Sequence, residues 1–187
     1  LMLFLMNFRP DYSTAELFAA RLDYVRRFYA RFYPENLQYV NVPDPGRPLK
    51  VGYVSGDFRI HPVSRFVKSV FVCHDRSSFK IYGFYNHYVT DAVTERLKGL
   101  VDQWYPIGRM TDADAAQLVR KLGIDILVDL SGHTDFHRLS LFARKPAPVQ
   151  VTWLGYLGTT GLATMDYRIC DTYTDPPGLT EAFLLGV

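Results

Sequence analysis

A carboxylate at Asp57 and an imidazole at His61 stand four residues apart within Ser55-Gly-Asp-Phe-Arg-Ile-His-Pro62. On a turn feeding a helix, such a pair could remove a proton from an attacking hydroxyl, because histidine titrates nearest neutrality. The same residues also fit a structural role, with Asp57 bracing the turn through backbone N–H groups and His61 capping a helix that opens at Pro62. His133, within Ser131-Gly-His-Thr134, could hydrogen-bond a substrate, with Gly132 letting the backbone come close. A surface histidine on a glycine turn reads equally well. Asp129 ends an apolar run and is either a site residue or a bracing carboxylate. Gly155, Gly158 and Gly161 recur every third residue, with Thr159 and Thr160 between the last two. Such a loop can offer N–H groups to phosphate or sugar oxygens, or it can be consecutive tight turns. It lacks the Gly-Lys-Ser/Thr ending of a Walker loop. The turn after the first strand holds only Gly56, so the dinucleotide fingerprint is missing and an NAD-dependent enzyme is disfavoured. His74 beside Cys73, His87 and His137 show no metal spacing, and no metal site is expected.

The elements that must position these groups alternate in type. Lys50–Ser55 is a short apolar run suited to a buried strand, and Val63–His74 has helical spacing behind Pro62. A strand at Phe79–Tyr85, a helix at Asp91–Leu100 and a weaker strand at Gln103–Ile107 follow. Thr111 can cap a helix running to Leu122, with Gly123 as its stop. Ile124–Leu130 is the clearest strand. A short helix near Arg138–Arg144 and strands at Pro148–Leu154 and Met165–Cys170 complete the pattern. Alternating strands and helices predict a doubly wound parallel sheet, a Rossmann-like α/β fold. In such sheets ligands bind beyond the carboxyl ends of the strands, and the segments at 55–62, 129–134 and 153–161 all leave strands there. Before the sheet, Ser13 and Thr14 can cap a helix with apolar positions from Leu17 to Phe32, ending before Pro34. Asn41–Pro48 reads as a linker. The expected division is therefore a helical connector and linker over 1–48 and a Rossmann-like half-domain over 49–187.

Composition narrows the function classes. The chain has 187 residues, 48% hydrophobic and 21% charged, which excludes a disordered or fibrous protein. Lys and Arg number 21 against 19 Asp and Glu, too balanced to advertise a nucleic-acid or acidic-membrane surface. Two cysteines form no framework and fit a reducing, cytoplasmic setting. The apolar run from Leu1 to Met6 is far short of a membrane span and lacks the flanks of a signal peptide.

Four stretches together resemble one family. They are Arg47–Pro62, Gly123–Thr134, Phe142–Gly161 (FARKPAPVQVTWLGYLGTTG) and Met165–Arg168. In order and spacing these resemble the catalytic region of the O-linked N-acetylglucosamine transferases, the family that includes bacterial homologues and the plant SPINDLY proteins. The likeness covers about residues 1 to 178. It implies the N-terminal half of a GT-B glycosyltransferase, which transfers a sugar from a nucleotide donor to Ser or Thr hydroxyls of an acceptor protein, with inversion and without metal or other cofactor. Tetratricopeptide repeats would precede residues 1–33. By that resemblance Asp57 and His61 match active-site positions and His133 a position lining the cleft. Leu154, Gly155 and Leu157 match the loop approaching the donor sugar, with Gly158, Thr159 and Thr160 continuing it. Leu157 stands where that loop usually has proline, which releases a fixed φ. The family's C-terminal half, which holds most nucleotide contacts, has no counterpart among these residues, and the tail from Leu179 to Val187 departs from the expected pattern. UDP-N-acetylglucosamine is the expected donor. GDP-fucose, as in SPINDLY-type relatives, and a non-catalytic protein-binding module are the alternatives.

Overall fold

In the computed structural model, which describes residues 2–176 and Gly178, the apolar runs become six parallel strands. They are β1 (Leu49–Ser55), β2 (Phe79–Tyr85), β3 (Gln103–Pro106), β4 (Ile126–Asp129), β5 (Val149–Trp153) and β6 (Tyr167–Ile169). Their spatial order is β3-β2-β1-β4-β5-β6. The chain builds outward from β1 and then returns to place β4 against its other edge, with Val51–Val54 in register with Ile126–Asp129. That return is the topological switch, and a crevice opens there between the loops leaving β1 and β4.

Both sheet faces are covered, which is why the strands read as nearly continuous apolar runs. Val51, Tyr53, Ile81 and Val128 share one core with Val63, Val67 and Phe71 of α3 (Pro62–Cys73) and Leu97 of α4 (Ala92–Lys98). Val54, Phe84 and Leu127 point the other way, onto Ala115 and Val119 of α5 (Asp112–Leu122) and Leu141 and Phe142 of α6 (Leu139–Ala143). Alternate residues serving opposite faces is the period of a strand made visible. The helices begin and end as their sequences dictate. Asp91 caps α4, Thr111 caps α5, and Gly123 closes α5 in the left-handed conformation at φ 63°.

The N-terminal segment packs on the same body. α1 (Met2–Met6) precedes α2 (Thr14–Phe28), which Ser13 and Glu16 open with a reciprocal capping box. A 3-10 turn at Ala30–Phe32 then stops short of Pro34. Val25 and Tyr29 are buried in the core of α5 and α6. The Asn41–Pro48 stretch turns at Pro45–Gly46 and is pinned at Asn41 and Arg47 to the Asp125 carboxylate, which also receives the start of β1. The Arg47 guanidinium donates to both Asp125 oxygens, Asn41 Nδ2 donates at 2.6 Å and the Lys50 N–H at 2.8 Å. Among the described residues no helix is long and apolar enough to cross a membrane. The Leu179–Val187 tail lies outside the described residues.

Candidate active site

The loop leaving β1 is held by short-range hydrogen bonds. Ser55 Oγ accepts the Asp57 N–H at 2.9 Å, and the Ile60 N–H donates to the Asp91 carboxylate that caps α4, at 2.7 Å. His61 sits at the N-cap of α3 with φ −158°, and its Nδ1 accepts the Val63 N–H at 3.3 Å. The Asp57 side chain is almost fully buried, with Arg59 Nη2 3.4 Å from Oδ1 and His61 Nδ1 3.7 Å from Oδ2. Ser55 therefore braces the turn, and the Asp57 carboxylate faces the Arg59 guanidinium and the His61 ring of its own loop. His61 is both a helix cap and the partner of a carboxylate. While Nδ1 accepts from Val63, the neutral ring carries its proton on Nε2. Moving that proton to Nδ1, toward Asp57, frees Nε2 as a base.

The loop leaving β4 is organised around Asp129, 1% exposed. Its carboxylate accepts from the Ser131 N–H at 3.0 Å, from the Gly132 N–H and from the Thr152 hydroxyl at 2.9 Å. Burial pushes its pKa above the usual carboxylate value in spite of these donors. Asp129 is thus the bracing carboxylate of the two alternatives. His133 lies behind this loop at 3% exposure, edge-on to Tyr24 of α2 and to Tyr156. Burial holds its pKa at about 4. The neutral ring donates Nε2–H to the Thr160 carbonyl at 2.8 Å, so His133 stitches the β4 and β5 loops together from within.

The loop leaving β5 opens with a one-residue reversal. Leu154 adopts φ 70°, and the Gly155 N–H returns to the Trp153 carbonyl at 2.9 Å, a strained turn for a leucine. Gly155 is pressed against the end of β4, since a Cβ there would stand 1.9 Å from the Leu130 carbonyl oxygen. Gly158 packs on the Arg21 guanidinium, where a Cβ would come within 2.7 Å. Gly161, at φ 73°, passes the Arg21 backbone. Arg21 is itself 5% exposed and donates Nε to the Tyr156 hydroxyl at 3.0 Å. The Thr159 and Thr160 hydroxyls accept the N–H groups two residues on, from Gly161 and Leu162. The regular glycine spacing thus serves close packing, of Gly155 against the end of β4 and of Gly158 and Gly161 against α2. Leu157, 66% exposed, is the side chain this loop turns outward, while its carbonyl accepts from Arg168.

Asp57, His61 and Gly155 line one cleft of ≈ 370 Å³. Leu154 and Leu157 line a neighbouring pocket of ≈ 230 Å³ with Trp153 and Arg168. Gly158, Thr159, Thr160 and His133 line neither of the two. Residues that motif spacing did not pick out complete the first cleft: Phe4 of α1, Arg59, Val63, Thr134, Asp135 and Phe136. Arg59 shares the Asp57–His61 turn, and its buried Nε has no partner among the described residues. Phe136 is held at φ 56° against His87, with its carbonyl accepting from Asn86. Nothing in its own sequence context marks it. Among the described residues, no group of three or more His, Cys, Asp or Glu is placed to hold a metal ion.

Comparison with known proteins matches residues 28–184 to glycosyl transferase family 41. The match runs past Gly178, where the sequence likeness was expected to fade. The chain is 40% identical over 176 residues to the probable UDP-N-acetylglucosamine–peptide N-acetylglucosaminyltransferase SPINDLY of Arabidopsis thaliana, covering 92% of this chain and 19% of that protein. It is 38% identical over 141 residues to the UDP-N-acetylglucosamine–peptide N-acetylglucosaminyltransferase of Caenorhabditis elegans, covering 74% of this chain and 12% of that one. A solved Thermobaculum terrenum O-GlcNAc transferase mutant superposes with a TM-score of 0.86 at 45% identity, over 91% of this chain and 33% of that chain. The chain thus spans about a fifth of the plant relative's length.

Proposed function

The chain belongs to glycosyl transferase family 41, and from that premise we propose that it forms the N-terminal wall of the catalytic cleft of a protein O-glycosyltransferase. The observation that carries this reading is the convergence, at the switch point of the sheet, of the Asp57–His61 pair and the Gly155 reversal on one cleft. A Ser or Thr hydroxyl of the acceptor protein enters this cleft and attacks the anomeric carbon of the donor sugar with inversion. His61 Nε2 takes the hydroxyl proton, directly or through one water, while Asp57 favours the tautomer that makes Nε2 basic and then stabilises the imidazolium. The diphosphate leaves with the bond to the anomeric carbon broken, and its charge is met mainly by the facing half of the enzyme.

The donor is read as UDP-N-acetylglucosamine, the nucleotide sugar in the names of the plant and nematode relatives. Transfer needs no metal or organic cofactor, residues 1–48 act as the helical connector to upstream tetratricopeptide repeats, and the setting is cytoplasmic. The expected His133 role in lining the cleft becomes one of shaping it, through the Thr160 carbonyl. The test is His61→Ala and Asp57→Ala in the complete enzyme, with transfer to an acceptor peptide followed at saturating UDP-N-acetylglucosamine and in competition with GDP-fucose. Each substitution lowers kcat by about 100-fold or more, the usual size of a lost general base. Near-normal rates in both variants remove the site assignment, and preferential use of GDP-fucose replaces the donor.

A further inference from the structure

A further concavity, of ≈ 330 Å³, lies between α3 and α4 and begins where the catalytic cleft ends, because His61 lines both. Its floor is apolar, with Leu97 fully buried and Val93 half-buried. On its rim stand Ile60, 71% exposed, and three exposed cations, Arg65, Lys68 and Arg96. Among the described residues none of these three side chains has an ion-pair or hydrogen-bond partner. The carboxylates near them are engaged elsewhere: Asp91 on the Ile60, Val93 and Thr94 N–H groups, Glu95 on Lys98, and Asp57 on Arg59 and His61.

Fold stability does not account for this placement. Arg65 stands near the N-terminus of α3, where the helix dipole disfavours a cation and the first turn carries no acid to offset it. Lys68 follows it by three residues on the same helix face, a like-charge neighbour that costs helix stability. Three uncompensated positive charges around an apolar floor leave the groove complementary to a ligand that is anionic and has aliphatic parts.

Resting on the transferase reading above, we infer that this groove binds an acidic segment of the acceptor polypeptide, with carboxylates against Arg65, Lys68 and Arg96 while the adjoining Ser or Thr reaches His61. A peptide fits better than a nucleic acid, because the floor offers apolar area to side chains and few polar groups to a phosphate backbone. From His61 to Lys68 the helix rises about 10 Å, which an extended peptide crosses in about three residues. The acidic residues therefore lie about two to five positions from the modified hydroxyl, on one side of it.

The experiment uses the complete enzyme and fluorescein-labelled acceptor peptides that carry three Glu on either the amino or the carboxyl side of the Ser, each with a Gln-bearing twin. Binding is read by anisotropy. One of the two Glu peptides binds about tenfold tighter than its twin, the size three exposed ion pairs give together, and the advantage shrinks as salt rises. The triple variant Arg65→Gln, Lys68→Gln, Arg96→Gln erases it, raising KM for the Glu peptide about tenfold while kcat and KM for the Gln twin stay at wild-type values. No Glu preference in the wild type overturns the inference, as does a preference that survives in the triple variant. An oligonucleotide of equal charge that binds tighter than the peptide overturns it in favour of a nucleic-acid site. Because anisotropy needs no sugar transfer, an enzyme that binds the Glu peptide but transfers nothing loses the catalytic reading and keeps the groove.

Discussion

Replacing Gly155 by alanine tests how firmly the β5 loop is seated. The added methyl would lie 1.9 Å from the Leu130 carbonyl oxygen, 2.6 Å from its carbon and 3.0 Å from the Ser131 Cα. Ordinary contact begins near 3.4 Å, so the loop or the end of β4 must move by roughly 1.5 Å, further than overpacked side chains usually yield. Neither side gives easily. Leu130 is tied through its N–H to the Val54 carbonyl at 3.1 Å, and Gly155 follows a leucine already at φ 70°. All the nearest atoms are backbone, which places the cost at the upper end of the overpacking range, about 3 kcal/mol. In urea denaturation followed by far-UV circular dichroism, a slope of about 2 kcal/mol/M converts this into a midpoint lower by about 1.5 M. Gly99→Ala is the matched control. Gly99 ends α4 at φ −72°, and a methyl added there would have its nearest neighbour 3.5 Å away, so alanine raises stability by about 0.5 kcal/mol. If Gly155→Ala unfolds at the wild-type midpoint, the loop is not locked against β4 and the account of the cleft wall is wrong.

Three further outcomes follow from the same contacts. The folded pKa of His133, about 4, lies below its unfolded value. Its contribution is therefore complete above pH 6.5 and is lost as pH falls toward 4, by about 3 kcal/mol in all. In calorimetry His133→Gln, which keeps a donor toward the Thr160 carbonyl, loses less Tm than the wild type between pH 7 and 4.5, and equal losses refute the assignment. Arg21→Ala removes the donor to Tyr156 and the surface under Gly158 and costs about 3 kcal/mol in urea midpoints; Arg21→Lys does not restore it, because an ammonium cannot replace the guanidinium fork. At Asp125, burial raises the pKa, but the Arg47 guanidinium, the Lys50 N–H and Asn41 outweigh it and hold the carboxyl below its usual value. That stability is present at neutral pH and is lost in acid as the carboxyl protonates. Arg47→Ala lowers stability at pH 7 and makes the 41–48 segment cleave faster under limited proteolysis; unchanged cleavage refutes the pinning.

Elements whose identity is written in local period were readable from the residues. The KVGYVS and IDILVDL runs, the Thr111 cap and the Gly123 stop all lie where their own chemistry puts them. Strand ends shift by a residue or two, as with β6, expected over Met165–Cys170 and found at Tyr167–Ile169. The roles of individual polar residues depended on what arrives from afar. His61 and His133 are alike as histidines after glycine-containing turns. They differ because Tyr24, over a hundred positions earlier, closes edge-on over His133, leaving it 3% exposed, whereas the His61 side chain keeps 35% exposure. The glycine loop suggested anion binding only while its packing partner was unknown. That partner is Arg21, a charged residue on the face of α2 that Val25 buries. Phe4 and Phe136 enter the cleft by tertiary placement alone, and neither carries a local signature.

The place of β1 at the centre of the sheet has a consequence in time. Its two edges are matched by β2, which follows within a few tens of residues, and by β4, which begins about 70 residues after Ser55. On a ribosome adding about 5–20 residues per second, β1 and β2 can meet while β4 has yet to be made. From the end of β2 at Tyr85 to the start of β4 at Ile126, roughly 2 to 8 seconds of synthesis, the row of N–H and C=O groups along Val51–Val54 then stands open on a strand whose side chains are apolar on both faces. An edge of that kind templates pairing with any extended chain nearby. The nascent protein should therefore be most dependent on chaperones between the synthesis of β2 and that of β4, and ribosome-bound intermediates stalled in that window should aggregate on release more readily than those stalled after β5.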